Sequence, residues 1–82
     1  MNNLSDETIE LDARGLKCPM PVIKLQQQVR QSQPENKIRI LCTDKGAERD
    51  IQSWCKVNKH QLLEVLNDGN LLKITIQVKE RK

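Results

Sequence analysis

Three stretches of this chain alternate in side chain with a period of two, a fourth is a short, mostly apolar run, two others repeat at helical spacing, and their order restricts the fold more than any other feature. Ile9 and Leu11 alternate with Glu10 and Asp12, and turn-prone Ala13-Arg14-Gly15 closes the stretch. From Pro19 the period changes: Val22, Leu25 and Val29 recur among Lys24, Gln26, Gln27, Gln28 and Arg30 until Gln33-Pro34-Glu35-Asn36 breaks the run, a helix of about a dozen residues. Ile38, Ile40 and Cys42 then alternate with Arg39, Leu41 and Thr43 up to Asp44-Lys45-Gly46. A second helix is expected next, because Ala47, Ile51, Trp54, Cys55 and Asn58 fall on one helical face. Leu62 to Leu66 reads as a third strand, and Asn67-Asp68-Gly69-Asn70 as a tight turn favoured by Asp-Gly. Beyond it Leu72, Ile74, Ile76 and Val78 alternate with Lys73, Thr75 and Gln77 as the fourth strand.

The order is strand, helix, strand, helix, strand, strand (βαβαββ). Two strands joined by a helix should be parallel with a right-handed crossover, and the last two should form an antiparallel hairpin. Polar alternation in the first and fourth strands leaves one sheet face wet, so both helices should cover the other, giving an α/β chain built as an α+β two-layer sandwich. With 82 residues the chain is expected to form one domain over 1–82, its core running from about 8 to 79.

Composition removes several function classes. Trp54 is the only aromatic residue, which argues against a surface that stacks nucleic-acid bases. Net charge is +3, and Lys37, Arg39, Lys56, Lys59, Lys73, Lys79, Arg81 and Lys82 are scattered, as in ordinary solubility charge. The polar start Met1-Asn2-Asn3-Leu4-Ser5-Asp6-Glu7 has neither the cationic nor the apolar part of a signal peptide, and no apolar run nears the roughly 20 residues of a membrane helix. A soluble cytoplasmic protein without membrane contact is expected. Cys18, Cys42 and Cys55 are odd in number and widely spaced, and His60 is the only histidine, which argues against a disulfide framework and against a metal site.

Chemistry concentrates at Cys18-Pro19-Met20-Pro21, between the first strand and the first helix. Proline suits the first helical position, where its missing N–H costs nothing, so Cys18 is expected at the N-cap. There the helix dipole and the adjacent Lys17 both favour the thiolate. A helix end is worth roughly 0.3–2 kcal/mol and one pKa unit about 1.4 kcal/mol. The expectation is therefore a thiol lowered from about 8.5 to near neutrality. The two prolines leave mainly the amides of Met20 and Val22 as donors, a poor cradle for phosphate but a firm mount for one sulfur atom. Pro21 stands where a dithiol redox enzyme places its second cysteine, so an extra sulfur on Cys18 has no adjacent thiol to leave with and can pass to another molecule.

The remaining candidates have blander readings. Cys42 continues the apolar alternation and is expected in the core, although it shares the sheet edge with Cys18 and a disulfide between them stays open. Cys55 reads as packing and His60 as structural or exposed, while Asp44, Glu48 and Asp50 read as caps or surface charge at the start of the second helix.

The run Leu11-Asp12-Ala13-Arg14-Gly15-Leu16-Lys17-Cys18-Pro19-Met20-Pro21 resembles the signature of the TusA-like, or SirA-like, sulfur-carrier proteins, and Thr43 to Ile51 with Trp54-Cys55 resembles the second segment of that family. The resemblance covers about Ile9 to Val78. It implies a mixed four-stranded sheet with two helices on one face, and a Cys18 that accepts persulfide sulfur from a cysteine desulfurase or another donor and hands it to a downstream relay protein. Synthesis of tRNA 2-thiouridine, molybdenum-cofactor synthesis and sulfur oxidation are the routes it brings into view. Lys17, Pro19 and Pro21 would support the cysteine in a carrier that needs no cofactor, rather than in a stand-alone turnover enzyme. Arg14, Lys17, Lys45 and Arg49 are candidate rim contacts for an acidic partner surface. A small protein- or RNA-interaction module with a structural Cys18 is the alternative.

Overall fold

The computed structural model describes residues 8–79 and runs β1 (Thr8–Ala13), α1 (Met20–Arg30), β2 (Lys37–Cys42), α2 (Ala47–Asn58), β3 (Gln61–Asp68) and β4 (Leu71–Gln77). Residues 1–7, expected to be a polar start without a leader, lie outside the described residues, as do Arg81 and Lys82. β1 pairs in parallel with β2, in register from Thr8↔Lys37 to Ala13↔Cys42. β4 lies antiparallel to both β2 and β3, so the strand order is β1-β2-β4-β3. Periodicity alone could not show that the last strand inserts between the second and third. Its burial does: Leu72, Ile74, Thr75, Ile76 and then Val78 are all buried, as suits a central strand.

One face of this mixed sheet carries Ile9, Leu11 and Ala13, then Ile38, Ile40 and Cys42, then Ile76, Ile74 and Leu72 in matching rows. Leu25 and Val29 of α1 and Ala47, Ile51 and Cys55 of α2 join them in one core cluster. The opposite face carries Glu10, Arg39 and Thr75; the Arg39 guanidinium lies 4.0 Å from Glu10 and its Nε donates to Thr75 Oγ1 at 3.5 Å. Exposed ion pairs of this kind contribute little, and burial of the aliphatic face dominates.

Three local expectations are adjusted. The buried stripe of α2 is narrower than its sequence pattern: Asn58 is exposed, its side-chain amide donating to the Trp54 carbonyl at 2.9 Å, and Trp54 is half-buried. The Trp54 ring stacks on His60 with centroids 5.1 Å apart. His60 is itself buried and accepts the Lys79 N–H at Nδ1, 3.1 Å away, so its role is structural. In the hairpin, Asp68 still pairs with Leu71, which leaves Gly69 and Asn70 as the turn, Gly69 at a φ of +64°. β3 extends past both ends of its expected span and has an irregularity between Leu62 and Glu64 that leaves Leu63 exposed. Among the described residues, no helix is long and apolar enough to cross a membrane.

Ile40 is fully buried in the central part of the core. Ile40→Ala is expected to cost about 2–5 kcal/mol in urea unfolding; a cost below about 1 kcal/mol would contradict this packing. Burial also pushes the Cys42 and Cys55 thiols up to about 11. An unfolded thiol ionises near about 8.5, so above that pH the unfolded chain binds fewer protons than the folded one and stability falls as pH rises, the loss being complete once pH passes the folded value. The melting temperature is expected to drop between about pH 9 and 11, and to drop less in the Cys42→Ala/Cys55→Ala variant; equal drops would contradict the assignment.

Candidate functional site

Parallel pairing of β1 with β2 brings the segments that follow them out at one edge of the sheet. The first turns at once: Leu16 N–H donates to the Ala13 carbonyl at 3.2 Å, and Gly15 takes a φ of +83° that residues with a side chain avoid. Two hydrogen bonds then tie this segment to the loop after β2. Gly15 N–H donates to Thr43 Oγ1 at 2.9 Å, and Cys18 N–H donates to Asp44 Oδ2 at 3.0 Å. The start of α2 comes equally near, for a Cβ on Gly46 would lie 3.9 Å from Cys18 Cβ and 3.5 Å from Asp44 Oδ2. Cys18 is exposed, whereas Cys42 and Cys55 are buried; all three are free thiols.

Cys18 is not the N-cap of α1. A turn from Lys17 to Met20, closed by Met20 N–H donating to the Lys17 carbonyl at 2.8 Å, precedes the helix and contains a cis Cys18–Pro19 peptide bond. Pro19 is the capping residue, and Pro21 sits in the first turn, fully buried against the core. The Pro19 carbonyl accepts Val22 N–H at 3.1 Å and Ile23 N–H at 3.2 Å. The amides of Met20, Val22 and Ile23 are thereby all bonded to carbonyls, and none is left to stabilise a thiolate on Cys18.

The expected lowering of the thiol is overturned for the same reason. The nearest charged partner of Cys18 is the Asp50 carboxylate, which accepts a hydrogen bond from Sγ. That bond raises the thiol above its ordinary value, helped by partial desolvation and by the negative charges of Asp50 and Asp44. In sequence, Asp44 and Asp50 read only as helix-end charge. The clue to their role was topological: a parallel strand pair delivers Asp44 to the edge where Cys18 emerges, and Asp50 lies in the first turn of the helix that begins there.

Lys17, Lys45 and Arg49 are exposed at this edge. Lys45 and Arg49 line an open cleft of about 610 Å³ together with Gly46, Glu48, Asp50 and Gln52, so the rim mixes both signs of charge and is less basic than the four candidate cations suggested. Arg14 is engaged: its guanidinium grips Asp12 through two bonds of 2.8 and 2.9 Å, which holds the Asp12 carboxyl down at about 2. Among the described residues, no three His, Cys, Asp or Glu side chains are arranged to hold a metal ion. An exposed thiol on a rigid turn, flanked by carboxylates and reachable from solvent, is suited to exchange with a sulfur on another protein.

Residues 9–78 match the family model described as sulfurtransferase TusA. The chain is 39% identical to YrkI of Bacillus subtilis, a candidate sulfur carrier protein, over 82% of this chain and 89% of that one. It is 32% identical to a candidate sulfur carrier protein of Neisseria meningitidis serogroup A, over 84% of this chain and 93% of the other. A SirA-like protein from Desulfitobacterium hafniense, solved by crystallography, shares the fold with a TM-score of 0.77 at 24% identity, over 88% of this chain and 99% of its own.

In native protein Cys18 is expected to react with iodoacetamide well before Cys42 and Cys55, since of the three only Cys18 is exposed. Peptide mapping of the labelled chain checks this. Equal labelling of the three in the folded state would contradict the placement of the site.

Proposed function

The chain belongs to the TusA sulfurtransferase family, and from that premise we propose that it is a sulfur carrier, a single domain working in the cytoplasm, whose Cys18 takes up sulfur as a persulfide. The donor is a cysteine desulfurase or another persulfide-bearing protein, and the acceptor is a downstream relay protein. The observation that carries this reading is the contrast among the three thiols: Cys18 alone is exposed, on a turn at the edge where a partner can reach it.

In the loading step, Cys18 Sγ attacks the outer sulfur of the donor persulfide. One S–S bond forms at Cys18 as the donor's own S–S bond breaks, and the proton lost from Cys18 is taken up by the departing donor thiolate. No net electrons enter or leave the pair. In unloading, an acceptor thiolate attacks the outer sulfur of the Cys18 persulfide and restores the Cys18 thiol. This exchange needs no metal or organic cofactor. Because Pro21 occupies the position of a resolving cysteine and Cys42 is buried, the loaded sulfur is not drained into an internal disulfide. The only aromatic side chain, Trp54, is packed against His60, which favours this reading over an RNA-stacking module. The final destination of the sulfur, tRNA 2-thiouridine for example, is then set by which relay protein docks.

Docking would use Lys17, Lys45 and Arg49 with Arg14 at the margin. The Lys17→Glu/Arg49→Glu variant is expected to slow sulfur uptake several-fold at low salt, with the difference shrinking as salt rises; an unchanged rate would remove these residues from the docking surface. Cys18→Ser is expected to abolish uptake of radioactive sulfur from a desulfurase while melting within a few degrees of the parent. Serine can keep both the backbone bond to Asp44 and a hydroxyl bond to Asp50, but its oxygen forms no persulfide. Uptake at the parental rate by Cys18→Ser would contradict the proposal.

A further inference from the structure

Cys18 is gripped by two carboxylates from the α2 side of the site. Asp44, in the loop before α2, accepts its backbone N–H at 3.0 Å, and Asp50, in the first turn of α2, accepts its Sγ–H. With the backbone fixed by the Lys17–Met20 turn, the side chain has one torsion left, and Asp50 sets it. We propose that Asp50 is a positioning residue that latches the empty carrier, holding the Cys18 thiol against the start of α2 and releasing it once a second sulfur is attached. The inference rests on reading Cys18 as the sulfur-bearing residue.

The latch follows from what each form of Cys18 can donate. A thiol has one hydrogen on Sγ, and the Asp50 carboxylate accepts it. In the persulfide, Sγ is bonded to Cβ and to the outer sulfur and has no hydrogen, so the same approach would set sulfur lone pairs against a carboxylate oxygen. An ionised outer sulfur would in addition be repelled by Asp50 and Asp44. Loading therefore exchanges a bond that holds the side chain in for a contact that pushes it out, toward the partner.

The charged surroundings are consistent with this. Asp50 comes from α2, Asp44 from the loop before it and Lys17 from the neighbouring position, while Lys45 and Arg49 share the cleft beside Asp50. The first turn of α1 brings only Met20 and Pro21, without charge, and its amides are occupied. The upward shift of the thiol, with the Asp50 hydrogen bond as its largest cause, points the same way. An empty carrier held in this form is slow to react with stray electrophiles, because the thiolate is the reactive species.

The pH dependence of Cys18 alkylation by iodoacetamide, measured on the full chain and on Asp50→Asn, tests the latch. The parent is expected to titrate above an ordinary thiol and Asp50→Asn closer to it, so that near neutral pH the variant reacts about tenfold faster for each pKa unit released. Superimposable profiles in folded protein would overturn the inference. Should Asp50→Asn fail to fold, which labelling of Cys42 and Cys55 would reveal, the parent supplies the second measurement. Methyl methanethiosulfonate converts Cys18 to a methyl disulfide, which has no Sγ–H and so imitates the loaded state. The carboxyl carbon resonance of Asp50 is expected to move on this treatment, and an unmoved resonance would overturn the latch. Neither readout involves a sulfur donor, so the latch can fail while sulfur uptake by Cys18 stands, and the reverse.

Discussion

The parallel register of β1 on β2 is the constraint from which the rest of the site follows. Ala13 and Cys42 end their strands side by side, both buried, and the two loops that leave them have only one edge of the sheet on which to continue. Thr43 and Asp44 then meet Gly15 and Cys18 through two hydrogen bonds that span more than twenty residues of sequence. Without the parallel pair, Cys18 would be a cysteine in a loop. With it, the cysteine is held at its backbone by one neighbouring segment and at its sulfur by the helix that this segment begins.

A sulfur carrier has to reconcile two demands on one atom. The thiol must react with the right persulfide and stay inert toward other electrophiles between encounters. A helix N-terminus with free amides would favour the thiolate at all times, and this structure avoids that arrangement by bonding the amides of Met20, Val22 and Ile23 to carbonyls. The Asp50 carboxylate accepts from Cys18 Sγ instead, and Asp44 adds a second negative charge.

Much of this was legible in the sequence, and the failures share a cause. The change of period from two to about 3.6 and back located every element but β3, because one sheet face and one face of each helix are buried in a common core. The Cys18-Pro19-Met20-Pro21 run marked the cysteine that the structure leaves exposed. What local reading could not supply was long-range. The insertion of β4 between β2 and β3 depends on a pairing between distant strands. The place of Cys18 one residue before the cap depends on Met20 turning back to Lys17. The sign of the thiol's shift depends on Asp50, 32 positions away in the chain. Trp54 packs half-buried against the core from the apolar face of α2, and what local reading could not show is its stack with His60, which enters from beyond the helix.

The central claim is that Cys18 bears the transferred sulfur. The most direct measurement is intact-protein and peptide mass spectrometry after incubation with a cysteine desulfurase, its pyridoxal cofactor and cysteine, without added reductant. The account predicts the mass of a single extra sulfur atom per chain, carried on the peptide that contains Cys18 and removed by a reducing thiol. Sulfur found on Cys42 or Cys55 instead, or no gain at all while the desulfurase turns over, would contradict it.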